Sequence, residues 1–245
     1  MISESPAMPR YFCQNNPDQL ELEVQVLDAR PGAVLLGQSP FFPGGGGQLA
    51  DRGVIEWSSG VLPVERIEPD PRGLWHVLTE PVIVQGSVLA KVDPEFRHLM
   101  CELHTMAHVL NSIVYRDFGG ALLTGAQLAA DGTFRVDFDM PGVYPDWLRA
   151  LDAPLNDVIR QDLPIRTFDM PWIEAEAEAG LFRSKSVSPP QQEDGSVRIV
   201  EITGLDRQAC GGTHLTSTGQ ARPVRILKVD NKGKQNRRIR VGFVS

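Results

Sequence analysis

Two short stretches carry side chains that could hold a metal ion. "HTMAH" sets His104 and His108 four residues apart, and "CGGTH" does the same for Cys210 and His214 near the other end of the chain. On a 3.6-residue helix the first pair points about 40° apart, one turn along, on one face. Imidazole and thiolate together suit zinc. The long interval between the two pairs excludes a zinc finger, whose ligands lie close together. A metalloprotease helix needs Glu after its first histidine, and here the residue is Thr105. What remains is a site assembled from one helix and one loop, with room for a substrate or a water. Gly211 and Gly212 let that loop turn tightly. Cys101, one turn before His104, competes with Cys210 as a ligand. A lone helix cysteine is most often a packed small hydrophobe, which favours Cys210.

The elements that must position these residues follow from periodicity. Residues 95–118 have helical spacing, are preceded by the break at Asp93-Pro94 and stop at Gly119-Gly120. Leu99, Leu103, Met106, Ala107, Leu110, Ile113 and Val114 gather on one side, so the two histidines border the core face without belonging to it. Before this helix, residues 20–90 read as short strands. "LELEVQVL" alternates with period two, and Gly, Pro, Asp and Ser separate the later runs. That spacing suggests a small β-barrel or sandwich. A domain boundary therefore falls near residue 92, giving units 1–92 and 93–245. After the helix, "FRVDFDM", "PIRTFDM", "SVRIVEI" and "PVRILKVDNKGKQNRRIRVGFV" supply strands, the last two joined by a turn around Asn231 to Asn236. "PDWLRALDAPLNDVIRQD" reads as one helix begun by Pro145-Asp146, and "PWIEAEAEAGLF" as a short one stopped by Gly180. "SPPQQEDGS" reads as an exposed loop. The second unit is α+β, helices on an antiparallel sheet.

Composition narrows the class. The chain has 245 residues, 42% of them apolar, enough for a core. It contains no apolar run long enough to span a bilayer, and the opening "MISESPAMPRYF" lacks a signal-peptide pattern. Three scattered cysteines argue for a reducing compartment, the cytoplasm by default. Net charge is -7, yet eight basic residues and one acid lie between Arg222 and Arg240. Such a cluster marks a phosphate-binding patch or a solvated hairpin with basic strand edges.

"SPFFPGGGGQLADRG" is the other unusual stretch. No Gly-Lys-Ser/Thr follows its glycines, so it is not a P-loop, and Leu49 occupies the third glycine position of a dinucleotide fingerprint. Phe41, Phe42, Pro43, Gln48 and Asp51 make poor linker composition. A loop whose backbone approaches another chain or a sugar-phosphate is at least as good a reading.

In order along the chain stand Phe-Phe-Pro43-x-x-Gly46-Gly47-Gln48-x-x-Asp51-x-Gly53, His104-x-x-x-His108, Cys210-Gly-Gly-Thr-His214 and "KGKQNRRI". This set resembles the editing region of alanyl-tRNA synthetase and the free-standing alanyl-tRNA editing proteins of the AlaX type, over roughly residues 20 to 243. The resemblance implies an N-terminal small β-barrel domain followed by an α/β-sandwich editing domain with an antiparallel sheet. It implies a trans-editing hydrolase that removes serine, and sometimes glycine, from alanine tRNA. It places Zn2+ on His104, His108, Cys210 and His214, and Thr124 and Gln127 in the substrate pocket. Synthetase versions often carry Thr before the second histidine. Here Ala107 stands there, which leaves Thr105 or the glycine loop to sense the serine hydroxyl. Gly46, Gly47, Gln48, Lys232, Lys234, Arg237 and Arg238 are the expected contacts to tRNA, with the protein a monomer or homodimer and no membrane involved. Two other readings stay open: a tRNA-binding module without catalysis, and a small-molecule metallohydrolase.

Overall fold

Alternation over "LELEVQVL" builds a ten-residue strand, β1 (Glu21–Arg30), with Leu22, Val24 and Val26 turned inward and the carboxylates outward. It follows a single helical turn, α1 (Phe12–Asn15). The computed structural model describes residues 10–185, 189 and 191–244. Most of the opening stretch, in which no signal peptide is expected, and part of the "SPPQQEDGS" loop lie outside the described residues.

Five further strands follow β1: β2 (Ala33–Leu36), β3 (Gly53–Trp57), β4 (Gly60–Asp70), β5 (Gly73–Leu78) and β6 (Ser87–Val92). They close an antiparallel barrel in the order β1-β2-β5-β4-β3-β6, with Glu21–Gln25 paired back onto Lys91–Ser87. Closure decides between barrel and sandwich, and it leaves no edge strand exposed. Val34, Leu36, Phe41, Ile55, Leu74 and Val88 fill the interior.

The glycine-rich stretch leaves this barrel from a fixed base. His76 is fully buried; its Nδ1 lies 3.1 Å from the Leu74 carbonyl and its Nε2 2.8 Å from the Ser39 hydroxyl. A carbonyl can only accept, so Nδ1 carries the proton and Nε2 accepts from Ser39. Downstream, Asp51 accepts the Phe42 N–H at 2.6 Å and forms a buried ion pair with Arg97, which also donates to the Pro40 carbonyl at 2.7 Å. Residues 39 to 51 are thus not a linker. Gly44, Gly45, Gly46 and Gly47 all have φ between 60° and 123°, a run of left-handed backbone that only glycine tolerates.

Asp93 caps the long helix α2 (Pro94–Asp117), accepting the N–H groups of Glu95 and Phe96 at 3.0 and 3.1 Å, with Pro94 at the first helical position. Gly119 and Gly120, both with positive φ, end it. Within α2 the chain passes from one compact unit, Pro9–Gly45 with Leu49–His98, into a second that holds Gly46–Gln48 and Leu99–Ser245.

The second unit contains two antiparallel sheets. Strands β7 (Leu123–Leu128), β8 (Thr133–Asp139), β12 (Val224–Lys232) and β13 (Asn236–Phe243) form one, in the order β12-β13-β8-β7. Strands β9 (Ile165–Pro171), β10 (Ser196–Ile202) and β11 (Asp206–Ala209) form the other, in the order β11-β10-β9. This is the expected α+β arrangement. β7 and β11 were not expected as strands; Gly and Gln interrupt their patterns. The expected helix from Pro145 is two, α3 (Pro145–Arg149) and α4 (Asp152–Gln161). Pro154 explains the break: it has no N–H to offer Ala150, and its ring crowds that carbonyl. The helix α5 (Trp172–Ala177) stops short of Gly180.

His76 gives the barrel a pH signature. Burial lowers its pKa to about 4, against about 6.5 in an unfolded chain. Between those values the unfolded chain binds a proton that the folded barrel refuses. Stability is therefore full above pH 6.5 and falls as pH drops toward 4, by about 3 kcal/mol in all. Denaturant midpoints measured across this window should fall more steeply in the wild type than in His76→Gln; equal slopes would contradict the assignment.

Candidate metal centre

From Met100 to Val114 every residue of α2 is buried. The histidines therefore do not border a core face, as periodicity suggested; the helix is enclosed all round, and its polar side chains are interior. Buried polar groups need partners. Glu102 takes the Arg222 guanidinium at 2.7 Å and its backbone N–H at 3.0 Å. Asn111 donates to Gln208 Oε1 at 2.7 Å, and Ser112 to the Leu205 carbonyl at 3.4 Å. His104, Thr105 and His108 remain, and their partners come from the segment after β11.

There His104, His108, Cys210 and His214 bring one ligand atom each to within 4.8 Å of one another. Cys210 Sγ lies 3.5 Å from His104 Nε2. The His104 and His214 rings are 4.3 Å apart, and the His108 and His214 rings 4.6 Å. Cys101 is buried but outside the group. A tetrahedral zinc with ordinary bond lengths would hold a nitrogen and a sulfur about 3.6 Å apart. His214 Nε2 is buried with no hydrogen-bond partner among the described residues. An orphaned ring nitrogen facing a thiol and two other imidazoles fits a cation.

Neighbouring groups aim these donors. Gln48 Oε1 accepts the Thr213 N–H at 3.0 Å, which identifies that atom as the oxygen. The same oxygen sits 2.9 Å from His104 Nδ1, so Nδ1 carries the proton and Nε2 keeps its lone pair for the cluster. The Gln48 amide nitrogen donates to Thr213 Oγ1 at 2.8 Å. Thr105 Oγ1 accepts the Leu215 N–H at 3.1 Å and meets His214 Nδ1 at 3.3 Å, leaving Nε2 as that ring's free atom. Arg198, on β10, donates to the carbonyls of Cys210 and Gly212, both at 2.9 Å. The chain bends at Gly212, without a left-handed φ. A Cβ there would lie 2.2 Å from His104 Cε1 and 2.7 Å from Gln48 Oε1, so glycine is needed for close packing.

Two of the four donors are shifted toward the forms that bind metal. Burial alone would raise the Cys210 thiol, but Coulombic attraction to His104 and His108, with hydrogen bonds from both, overcomes this and holds it well below its usual range. Burial, reinforced by the same two rings, keeps His214 well below its usual value and neutral. Thiolate and neutral imidazole are the forms that bind metal.

The other residues marked in the sequence are dispersed. Thr105 is fully buried and Gln48 is 4% exposed; their polar atoms face the histidines and the 213–215 backbone rather than solvent. Thr124 is the extra residue of a β-bulge opposite Phe138 and Asp137, and its hydroxyl is buried without a hydrogen-bond partner among the described residues. Gln127 is exposed and its amide oxygen accepts from Arg135 at 2.9 Å. Gly47 is half-buried and its carbonyl accepts the Leu128 N–H at 2.8 Å, whereas a Cβ on the exposed Gly46 would meet nothing within 4 Å. Lys232 and Lys234 stand exposed at the β12–β13 turn. Arg237 instead turns inward to the Val143 carbonyl at 3.0 Å, and Arg238 grips Asp137 with two bonds of 2.7 Å. Sequence reading missed Arg198. Its signal is a lone charge on the face of "SVRIVEI" shared with Val200 and Ile202.

Comparison with known proteins adds a family. The profile described as "Threonyl and Alanyl tRNA synthetase second additional domain" matches residues 197–240. The chain is 31% identical over 223 residues to the alanyl-tRNA editing protein AlaX-M of Saccharolobus solfataricus, covering 89% of this chain and 92% of that protein. It is 33% identical over 217 residues to AlaX-M of Methanosarcina barkeri, covering 84% and 86%. Against the alanine–tRNA ligase of Pyrobaculum calidifontis it is 35% identical over 217 residues, but spans only 23% of the ligase.

Support around a metal ligand commonly tunes affinity 10- to 100-fold. Competition with a chelator should show Gln48→Leu weakening metal binding by about that factor, and Gly212→Ala by at least as much. Unchanged affinity in Gln48→Leu would mean that its contact with His104 is incidental.

Proposed function

The chain belongs to the alanyl-tRNA editing protein family, and from that premise we propose that it is a deacylase acting in trans on mischarged tRNA(Ala). Its substrates are chiefly Ser-tRNA(Ala) and also Gly-tRNA(Ala), and the site is the cluster of His104, His108, Cys210 and His214 with zinc bound. The convergence of three imidazoles and one thiol, with His214 Nε2 left without a hydrogen-bond partner among the described residues, carries this reading. We place the protein in the cytoplasm with its tRNA; none of its three cysteines forms a disulfide.

The need for such an enzyme is physical. A pocket built for alanine gains only about 1–3 kcal/mol against glycine or serine, too little for faithful translation. A second site that recognises the extra hydroxyl reverses the preference. Bound zinc would supply a fixed positive charge to anchor the aminoacyl group, since four protein donors leave little room for a metal-bound water. The protein's own residues do the rest. Gln48 and Thr105 hold the His104 and His214 rings, so we assign both as positioning residues. Arg198 fixes the turn that carries Cys210. A water adds to the ester carbonyl, the bond from acyl carbon to ribose oxygen breaks, and the ribose hydroxyl leaves with the proton. Thr124 offers a buried hydroxyl in need of a partner, and we assign it to the serine side chain. Leaving such a group unpaired costs about 1–3 kcal/mol, which a bound serine would recover and an alanine would not.

Release of serine from Ser-tRNA(Ala) should proceed while Ala-tRNA(Ala) is spared. His104→Ala should abolish it, and Thr124→Val should narrow the preference for serine over alanine by about 5- to 150-fold. Metal analysis should find Cys210→Ala depleted and Cys101→Ala loaded. No release from either Ser- or Gly-tRNA(Ala) by the metal-loaded protein would refute the proposal.

A further inference from the structure

The turn between β12 and β13 adjoins a feature that the hydrolytic site does not use. Tyr144 and Trp147, at the start of α3, are 67% and 60% exposed, with their rings edge-on and 5.6 Å apart. Two large aromatic rings standing together in water call for an explanation that a scattered leucine does not. Neither is loosely tethered. The Met140 N–H donates to the Gln235 carbonyl at 2.8 Å, and Arg237 Nε to the Val143 carbonyl at 3.0 Å. The loop that carries the rings is thereby fastened to the hairpin tip, where Lys232 and Lys234 are both exposed. Arg149, also exposed, follows on the same short helix, paired with Asp146.

We infer that this end of the sheet binds unpaired nucleotides of an RNA, with bases stacked on Trp147 and Tyr144 and phosphates held by Lys232 and Lys234. Aromatic faces beside ammonium groups match a base and its phosphate, and any base can stack. A duplex keeps its bases within its own stack, so the ligand is a loop or single-stranded end. Charge argues against a second copy of this chain. A two-fold contact through the patch would set the lysines of both copies against each other, whereas the anionic backbone of RNA complements them in a protein whose net charge is -7. The inference rests on the proposed function only in taking RNA as the substrate.

The test uses the full chain with uncharged tRNA(Ala), a single-stranded RNA and a duplex of equal length. Trp147→Ala should weaken binding of tRNA and single strand by about 5- to 150-fold, and Trp147→Phe much less. Replacing Lys232 and Lys234 by Ala should flatten the salt dependence by about 1.4 in the log–log slope. On charged tRNA, Trp147→Ala should raise KM and leave kcat unchanged. Unaltered RNA affinity in the Tyr144→Ala, Trp147→Ala double variant would overturn the inference. So would tighter binding to duplex than to single strand, or a variant that shifts only the oligomeric state. Affinity for uncharged RNA needs no turnover. A protein that binds through Trp147 but releases no amino acid refutes the deacylase proposal alone; one that edits normally and ignores Trp147 refutes this one alone.

Discussion

One oxygen atom, Oε1 of Gln48, accepts hydrogen bonds from His104 Nδ1 and from the Thr213 backbone. Three distant parts of the chain meet at that atom: the glycine run, the central helix and the turn after β11. The contact decides which nitrogen of His104 is free to face Cys210. It also leaves no volume for a side chain at residue 212, and it requires the glycine run to hold one shape. Four consecutive left-handed glycines supply that shape.

Around this contact the unit solves a problem of polarity. A helix buried on every side cannot carry Glu102, His104, Thr105, His108, Asn111 and Ser112 without partners for each. Three of them find partners outside the cluster, Glu102 in Arg222, Asn111 through its amide nitrogen in Gln208, and Ser112 in the Leu205 carbonyl. The others are gathered with Cys210 and His214 into one place, where their donors converge and one ring nitrogen stays open. Arg198 adds a buried cation beside the carbonyls of the Cys210 turn. The polar groups of this helix are thus concentrated where the four donors meet.

Much of this was legible in the residues. Period two gave the barrel strands, the Asp93-Pro94 and Gly119-Gly120 signals bounded the helix, and the order of motifs marked the family. Two kinds of information were not legible. Which residues support the ligands depends on packing between segments far apart in sequence, so the bonds of Gln48 to His104 and Thr213, and of Arg237 to the Val143 carbonyl, are not legible in a linear motif. The position of the histidines failed for a related reason. Helical periodicity reports the most apolar face, and it cannot show that the polar face is also enclosed. Pro154 is the residue in the sequence that marks the division of α3 from α4. Gln127 sits where cross-strand pairing with Arg135 puts it, on solvent, which a linear motif does not encode.

The account stands on the four donors acting as one metal site. X-ray absorption at the zinc edge, on protein purified without added chelator, examines this directly. One zinc per chain, with a single sulfur neighbour at about 2.3 Å and nitrogen neighbours at about 2.0–2.1 Å, is the predicted result. A spectrum without sulfur, or a protein that binds no zinc, would contradict it.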